Sequence, residues 1–218
     1  MNRAQAGVLL SQELLDLSGR GAVVLGIPRG GLLVAQALAE RIQADLDIVL
    51  SRKLGVPGQE ELAFGALSED GEIFLNQDVM QQIFIPGSYI QQEKEHQQTE
   101  IARRKRLIRE ILTKVNLNHR IAIVTDDGAA TGATLQAAIW TLRREQPDKL
   151  IAAIPVASDE AVSRISGDVD ELVCLRMPEY FMAVGQFYLQ FAQVTDEQVL
   201  EILKQERSRK KLDLQTHP

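Results

Sequence analysis

The stretch IAIVTDDGAATGAT, Ile121 to Thr134, joins residue types whose combined chemistry is narrow. An apolar run delivers two adjacent acids, Asp126 and Asp127. A loop of small residues follows, in which Gly128, Ala129, Ala130, Gly132 and Ala133 leave the backbone uncovered. Backbone N–H groups can close on an anion only where no bulky side chain intervenes, and the hydroxyls of Thr131 and Thr134 add donors to the same concavity. A helix starting at the end of such a loop favours negative charge at its N-terminus, so the segment reads as a phosphate cradle. Two carboxylates beside the cradle would repel the phosphate itself. They suit sugar hydroxyls or the hydration shell of a metal, and phosphate with hydroxyls is a sugar phosphate.

Other phosphate-binding loops fit poorly. A Walker-type loop needs Lys before its final Ser or Thr, where Ala133 stands, and Gly26 to Gly31 reads G-x-x-x-G-G and not the G-x-G-x-x-G of dinucleotide binders. That turn, GIPRGG, still offers a cation, Arg29, beside Gly30 and Gly31, and Arg52 and Lys53 follow a second apolar run. Glu60 and Glu61 either face this basic side or form a solvated loop. From Ile101 to Lys114 there are six Lys or Arg and one acid, expected on the solvated face of a helix with Ile101, Ile108 and Ile111 turned inward. The acidic run Gly55 to Met80 supplies partners for these cations. Cys174 in ELVCL reads as core, and Trp140 as packing beside a helical stripe.

The elements that must position these groups are visible as hydrophobic patterns. Ala6, Leu9, Leu10, Leu14 and Leu17 predict an opening helix that ends near Gly19. Apolar runs at Ala22–Ile27, Leu46–Leu50, Ile121–Val124, Leu150–Val156 and Glu171–Leu175 read as strands buried on both faces. Helical stripes after the first and third of them complete βαβ units. The expected fold is α/β, a central parallel sheet flanked by helices. AFGAL and EIFLN predict a hairpin insertion over Ala63–Asn76, turning at Asp70 and Gly71. Gln91 to Glu100 is polar throughout and is expected to project from the body. TDEQ at Thr195 is a capping-box pattern that opens a terminal helix over about 195–210, before a polar tail.

Composition sets the bounds. The 218 residues carry 24 Lys and Arg against 30 Asp and Glu, net −6, with 45% hydrophobic residues, which suits one globular domain spanning 1–218. One Cys excludes an intrachain disulfide framework, and His96, His119 and His217 are too scattered for a zinc-type cluster. No apolar stretch nears the ~20 residues of a membrane span, and MNRAQAGVLLSQELLDL lacks a secretory h-region, so a cytoplasmic protein is expected. The acidic balance disfavours general nucleic-acid binding.

On these residues the chain resembles the type I phosphoribosyltransferases, in which an apolar strand, an acidic pair and a T-G-x-T loop bind 5-phosphoribosyl 1-pyrophosphate. GIPRGG resembles the family's pyrophosphate loop, SRK at Ser51–Lys53 its basic strand end, and MPEYFMAVGQFY, Met177–Tyr188, the hood that closes over the base in purine-salvage members. The likeness runs over about residues 20–190, with a core at about 20–160 and a small C-terminal hood at about 170–195. Together with NRAQAG and RKLGVPGQEELAFGA, it is nearest to bacterial members whose acceptor is unassigned. The resemblance implies that Ala129–Thr134, with Gly128, hold the 5′-phosphate, and that Asp126 and Asp127 hold the ribose hydroxyls. It assigns the pyrophosphate to Pro28, Arg29, Gly30, Gly31, Arg52 and Lys53, with a non-proline cis peptide in that loop. Arg29, Asp126 and Asp127 would carry the catalysis. Tyr180, Phe181, Val184 and Gly185 would form the acceptor hood, with Tyr180 or Phe181 stacking on a ring. Mg²⁺ would bridge ribose and pyrophosphate oxygens, reaching Asp126 and Asp127 only through water. A lid is expected from the hairpin or from Gln91–Glu100, and a homodimer by analogy. Ala130 and Leu189 stand where 6-oxopurine enzymes carry Asp, which disfavours a 6-oxopurine acceptor. The alternative reading is a non-catalytic sensor of the same ligand.

Overall fold

The computed structural model describes residues 1–216, so His217 lies outside the described residues. Five strands form a parallel sheet: β1 (Val23–Gly26), β2 (Asp45–Ile48), β6 (Ile121–Thr125), β7 (Lys149–Ile154) and β8 (Glu171–Cys174), in the order β2-β1-β6-β7-β8. Side chains alternate across a pleated strand, and here both faces are apolar. Val24, Ile123 and Ile151 face one core with α1 (Arg3–Glu13), α2 (Gly30–Ile42) and α7 (Asp196–Thr216). Val23, Leu25, Val124 and Ala152 face the other with α5 (Ala133–Arg143) and α6 (Asp159–Ile165). Burial on both faces is why β1, β6 and β7 read as unbroken apolar runs, while the edge strand β8, expected to be buried on both faces, is only half-buried because one side has no neighbouring strand. α1 crosses α2 at Gly7, where a Cβ would stand 2.3 Å from the Val34 carbonyl oxygen.

A second, antiparallel sheet holds β3 (Ser51–Val56), β4 (Gln59–Ser68) and β5 (Ile73–Leu75). The expected hairpin is therefore two of three strands, and Ser51–Lys53 opens β3 and does not end β2. The hairpin is also no free flap. Ala63 and Ala66 are buried against Ala137 and Trp140, and the Phe74 ring stacks on Trp140 at 4.8 Å between centroids. After α3 (Gln77–Gln82), α4 runs unbroken over Gly87–Arg109. Its polar first half is largely exposed, as expected, while Ile101 and Ile108 are buried. Asn2 caps α1 in a capping box. The terminal helix extends beyond the expected 210 to Thr216. No helix among the described residues is long and apolar enough to cross a membrane.

Candidate active site

The strand order reverses between β1 and β6, and at the carboxyl ends of these two strands the crevice of an open α/β sheet forms. Their C-terminal turns are tied together, with the Ile27 N–H donating to the Thr125 carbonyl at 2.9 Å. Two helices begin there. α2 starts at Gly30, straight after the Pro28–Arg29 turn, and that peptide is cis, as the resemblance implied. α5 starts at Ala133 behind Gly132, whose φ of +73° places it in the left-handed region. Both N-termini therefore begin beside one crevice, with Asp126 and Asp127 between them.

The glycines set the spacing. A Cβ on Gly30 would lie 2.0 Å from the Asp127 carboxylate, and one on Gly31 would lie 2.8 Å from the Asp126 Cα. A Cβ on Gly128 would meet the Val184 methyl at 2.6 Å, so the Val184–Phe187 turn sits directly on the start of the Gly128–Thr134 loop. The loop itself is held from the segment joining β7 to α6, with the Ala129 N–H donating to the Val156 carbonyl and the Ser158 hydroxyl donating to the Ala130 carbonyl.

Asp126 accepts from the Asp127 N–H at 2.8 Å and from the Gly31 N–H. Burial, followed by the charge of Asp127, nevertheless pushes its carboxyl well above the ordinary range. Asp127 is paired with Arg3, whose Nε lies 2.7 Å from Oδ2. The sequence pattern gave no sign of this partner. Arg3 also donates to the Ala192 carbonyl at 2.9 Å, and its guanidinium lies 3.9 Å from the Phe191 ring centre. The Tyr188 hydroxyl donates to the Asp127 carbonyl at 2.6 Å. Burial, with Asp127 close by, raises that phenol, which stays a neutral donor. α1 and the hood thus close on the acidic pair from one side.

On the other side, Thr131 donates to Glu61 at 3.0 Å, and Lys53 pairs with Glu61 at 3.1 Å. Lys53 first and Thr131 second hold the Glu61 carboxyl below its ordinary value. The β3–β4 hairpin therefore reaches the Gly128–Thr134 loop through Glu61, whose carboxylate remains largely exposed to solvent. Arg29 turns toward α7, with its guanidinium 3.8 Å from Asp196. Arg52 lies 3.8 Å from Glu100. Thr134 faces a cavity of about 470 Å³ together with Pro28, Arg52, Lys53 and Arg104. In the hood, Phe181 packs on Phe187 at 5.2 Å and Tyr180 is 79% exposed, so Tyr180 has the free ring face. Val184 and Gly185 open the short turn Val184–Phe187, with Gly185 against Phe191. Cys174 is half-buried, and burial raises its thiol, which disfavours the nucleophilic thiolate.

No group of three or more His, Cys, Asp or Glu able to hold a metal occurs among the described residues. The acidic pair offers hard oxygen donors, one of them enclosed and engaged by N–H groups. That donor set suits Mg²⁺ carried in on phosphate oxygens and keeping its water, not a protein-built cage.

Comparison with known proteins agrees with this geometry. A family model described as a phosphoribosyl transferase domain matches residues 3–192. Two curated proteins from Mycobacterium tuberculosis strains, "Putative phosphoribosyl transferase MT0597" and "Putative phosphoribosyl transferase Rv0571c", are each 44% identical over 202 residues, 93% of this chain and 46% of the relative. The chain spans about half the length of these relatives. The crystal structure of TT1426 from Thermus thermophilus is similar with a TM-score of 0.88 and 40% identity, covering 94% of this chain and 97% of that one.

Proposed function

The chain belongs to the type I phosphoribosyltransferase family, and from that premise we propose that it transfers the phosphoribosyl group of 5-phosphoribosyl 1-pyrophosphate to a nitrogenous, nucleobase-like acceptor with release of pyrophosphate. The observation that carries this reading is the enclosed Asp126–Asp127 pair, set between the N-termini of α2 and α5. One helix end takes the 5′-phosphate through Gly128, Ala129, Ala130, Thr131, Gly132, Ala133 and Thr134. The other takes the pyrophosphate along the Pro28, Arg29, Gly30 and Gly31 turn, with Arg29, Arg52 and Lys53 supplying charge. The carboxylates hold the ribose hydroxyls between them.

In the reaction a nitrogen of the acceptor forms a bond to C1 as the C1–O bond to pyrophosphate breaks, and the electron pair leaves on pyrophosphate. Positive charge builds on the ribose ring beside Asp126 and Asp127, and negative charge builds toward the arginines and the α2 N-terminus. Mg²⁺, bound through the phosphate oxygens, would supply further neutralisation of the leaving group. The hood would cover the acceptor, with Tyr180 stacking on its ring, and would exclude the water that competes for C1. Arg3 holds Asp127 in position until the ribose arrives.

The test is pyrophosphate release from 5-phosphoribosyl 1-pyrophosphate across a panel of purine, pyrimidine and amine acceptors. Acceptor-dependent release is expected, falling by at least about 100-fold in Asp127→Asn, because hydrogen bonds to a charged group and charge stabilisation are lost together. Release without any acceptor identifies a hydrolase and contradicts the transferase reading. Binding without release for any acceptor favours a sensor.

A further inference from the structure

The cations of α4 do not share one fate. Arg109 is buried between Asp47 and Glu69 at 2.7 and 2.9 Å, Lys105 pairs with Asp70 at 2.7 Å, and Lys114, just beyond the helix, with Asp70 at 2.9 Å. Arg103 lies 3.9 Å from Glu100. Arg104 differs from these. Its Nε is enclosed by protein and has no hydrogen-bond partner, and no ion pair to its guanidinium occurs among the described residues. A buried donor left unpaired is costly, and a guanidinium without a counter-charge more so.

The setting of Arg104 shows what is missing. It lines the cavity of about 470 Å³ whose wall also includes Pro28 of the cis turn, Arg52, Lys53 and Thr134. A small neighbouring cleft brings it beside Arg29 and Asp196. The nearby carboxylates are already engaged. Glu61 holds Lys53, Glu100 stands 3.8 to 3.9 Å from both Arg52 and Arg103, and Glu93 accepts from Gln97 at 2.9 Å. The charge of Arg52 is itself disfavoured, first by burial and then by Arg104. Crowding Arg52 and Arg104 together is sensible where a polyanion will separate them. The space, about 470 Å³, is enough for a diphosphate with a hydrated divalent cation.

We propose that Arg104 of α4 is a leaving-group ligand: with Arg52 it binds the outer phosphoryl of the pyrophosphate, opposite the α2 N-terminus. This makes α4 part of the donor site. The inference rests on the transferase reading for the identity of its anion.

The experiment is titration calorimetry on the full chain with inorganic pyrophosphate and Mg²⁺, and separately with ribose 5-phosphate, for wild type, Arg104→Gln and Arg104→Lys. Arg104→Gln is expected to weaken pyrophosphate by about tenfold or more, leaving ribose 5-phosphate within about twofold, since a charge-assisted bond to one phosphoryl is lost. Arg104→Lys should recover part of the loss. Unchanged pyrophosphate affinity in Arg104→Gln overturns the proposal, as does an equal loss for both ligands. Wild type that binds ribose 5-phosphate but not pyrophosphate overturns this inference alone. Wild type that binds neither overturns the transferase reading as well.

Discussion

The carboxyl of Asp126 is enclosed beside that of Asp127, and burial followed by its neighbour's charge raises its pKa above the 3.8 of a free side chain. A carboxyl that titrates higher in the folded chain than in the unfolded one costs stability above the unfolded value. The cost grows with pH until the folded value is passed. Asp126→Asn keeps an oxygen acceptor for the N–H groups of Asp127 and Gly31 and removes the charge. The Tm of the unliganded protein is therefore expected to rise at pH 7, by about 2–4 °C for each kcal/mol recovered. The gain should vanish as the pH falls toward 3.8, and scanning calorimetry at both pH values checks it. A lower Tm at pH 7 would mean that the charge is stabilised in the empty site. Asp126 to Thr134 are legible as a unit because their chemistry is local in sequence. Arg3 is not, because it lies 124 residues from Asp127 and an arginine in a first helical turn carries no distinguishing pattern. Arg104 is visible only as one cation in a run, and the fold decides which members of that run are paired.

At the scale of elements, the site depends on how closely α2 begins against the end of β6. Gly30 faces the Asp127 carboxylate with no room for a methyl group, and Arg3 Nε would lie 2.9 Å from a Cβ there. Gly30→Ala must displace the carboxylate and break the Arg3 pair. A loss of about 1–3 kcal/mol is expected from the overpacking, or about 2–4 °C in Tm per kcal/mol, with binding of ribose 5-phosphate weakened in parallel. Thermal denaturation with and without ribose 5-phosphate measures both, and unchanged values would show that the α2 turn is free to move away. The strands β1, β6 and β7 are readable because burial on both faces leaves an apolar run in the sequence, whereas the edge strand β8 is only half-buried. β3 is not readable, because in SRKLGV only Leu54 and Val56 are buried and its ladder comes from β4. The hairpin is legible in its alternation, but its anchoring is not. Its inner face packs on α5 through Ala63, Ala66 and Phe74, and the part that reaches the site is the β3–β4 end at Glu61.

Over the whole molecule, distant parts of the chain converge on one crevice. α1 and the hood meet at Arg3, Asp127 and Tyr188. The insertion is bound to the parallel sheet by the buried Arg109, which joins Asp47 of β2 to Glu69 beyond β4. Around it, hydrogen bonds from Lys105 and Lys114 hold the Asp70 carboxyl down at about 2. The partnership between the acidic run and the α4 cations is legible from their opposite charges, but the particular pairs depend on the three-stranded sheet. These ties gather the acidic pair, both helix N-termini and the basic cavity around one crevice, and that arrangement suits a phosphorylated sugar carrying a diphosphate. The most direct test is calorimetric binding of 5-phosphoribosyl 1-pyrophosphate with Mg²⁺ to wild type and to Asp126→Asn/Asp127→Asn. Dissociation at about micromolar concentration, weakened by at least about 100-fold in the double variant, is the predicted result. Because a binding enthalpy can vanish at one temperature, the titration is run at several. No binding by the wild type at any of them would contradict the account.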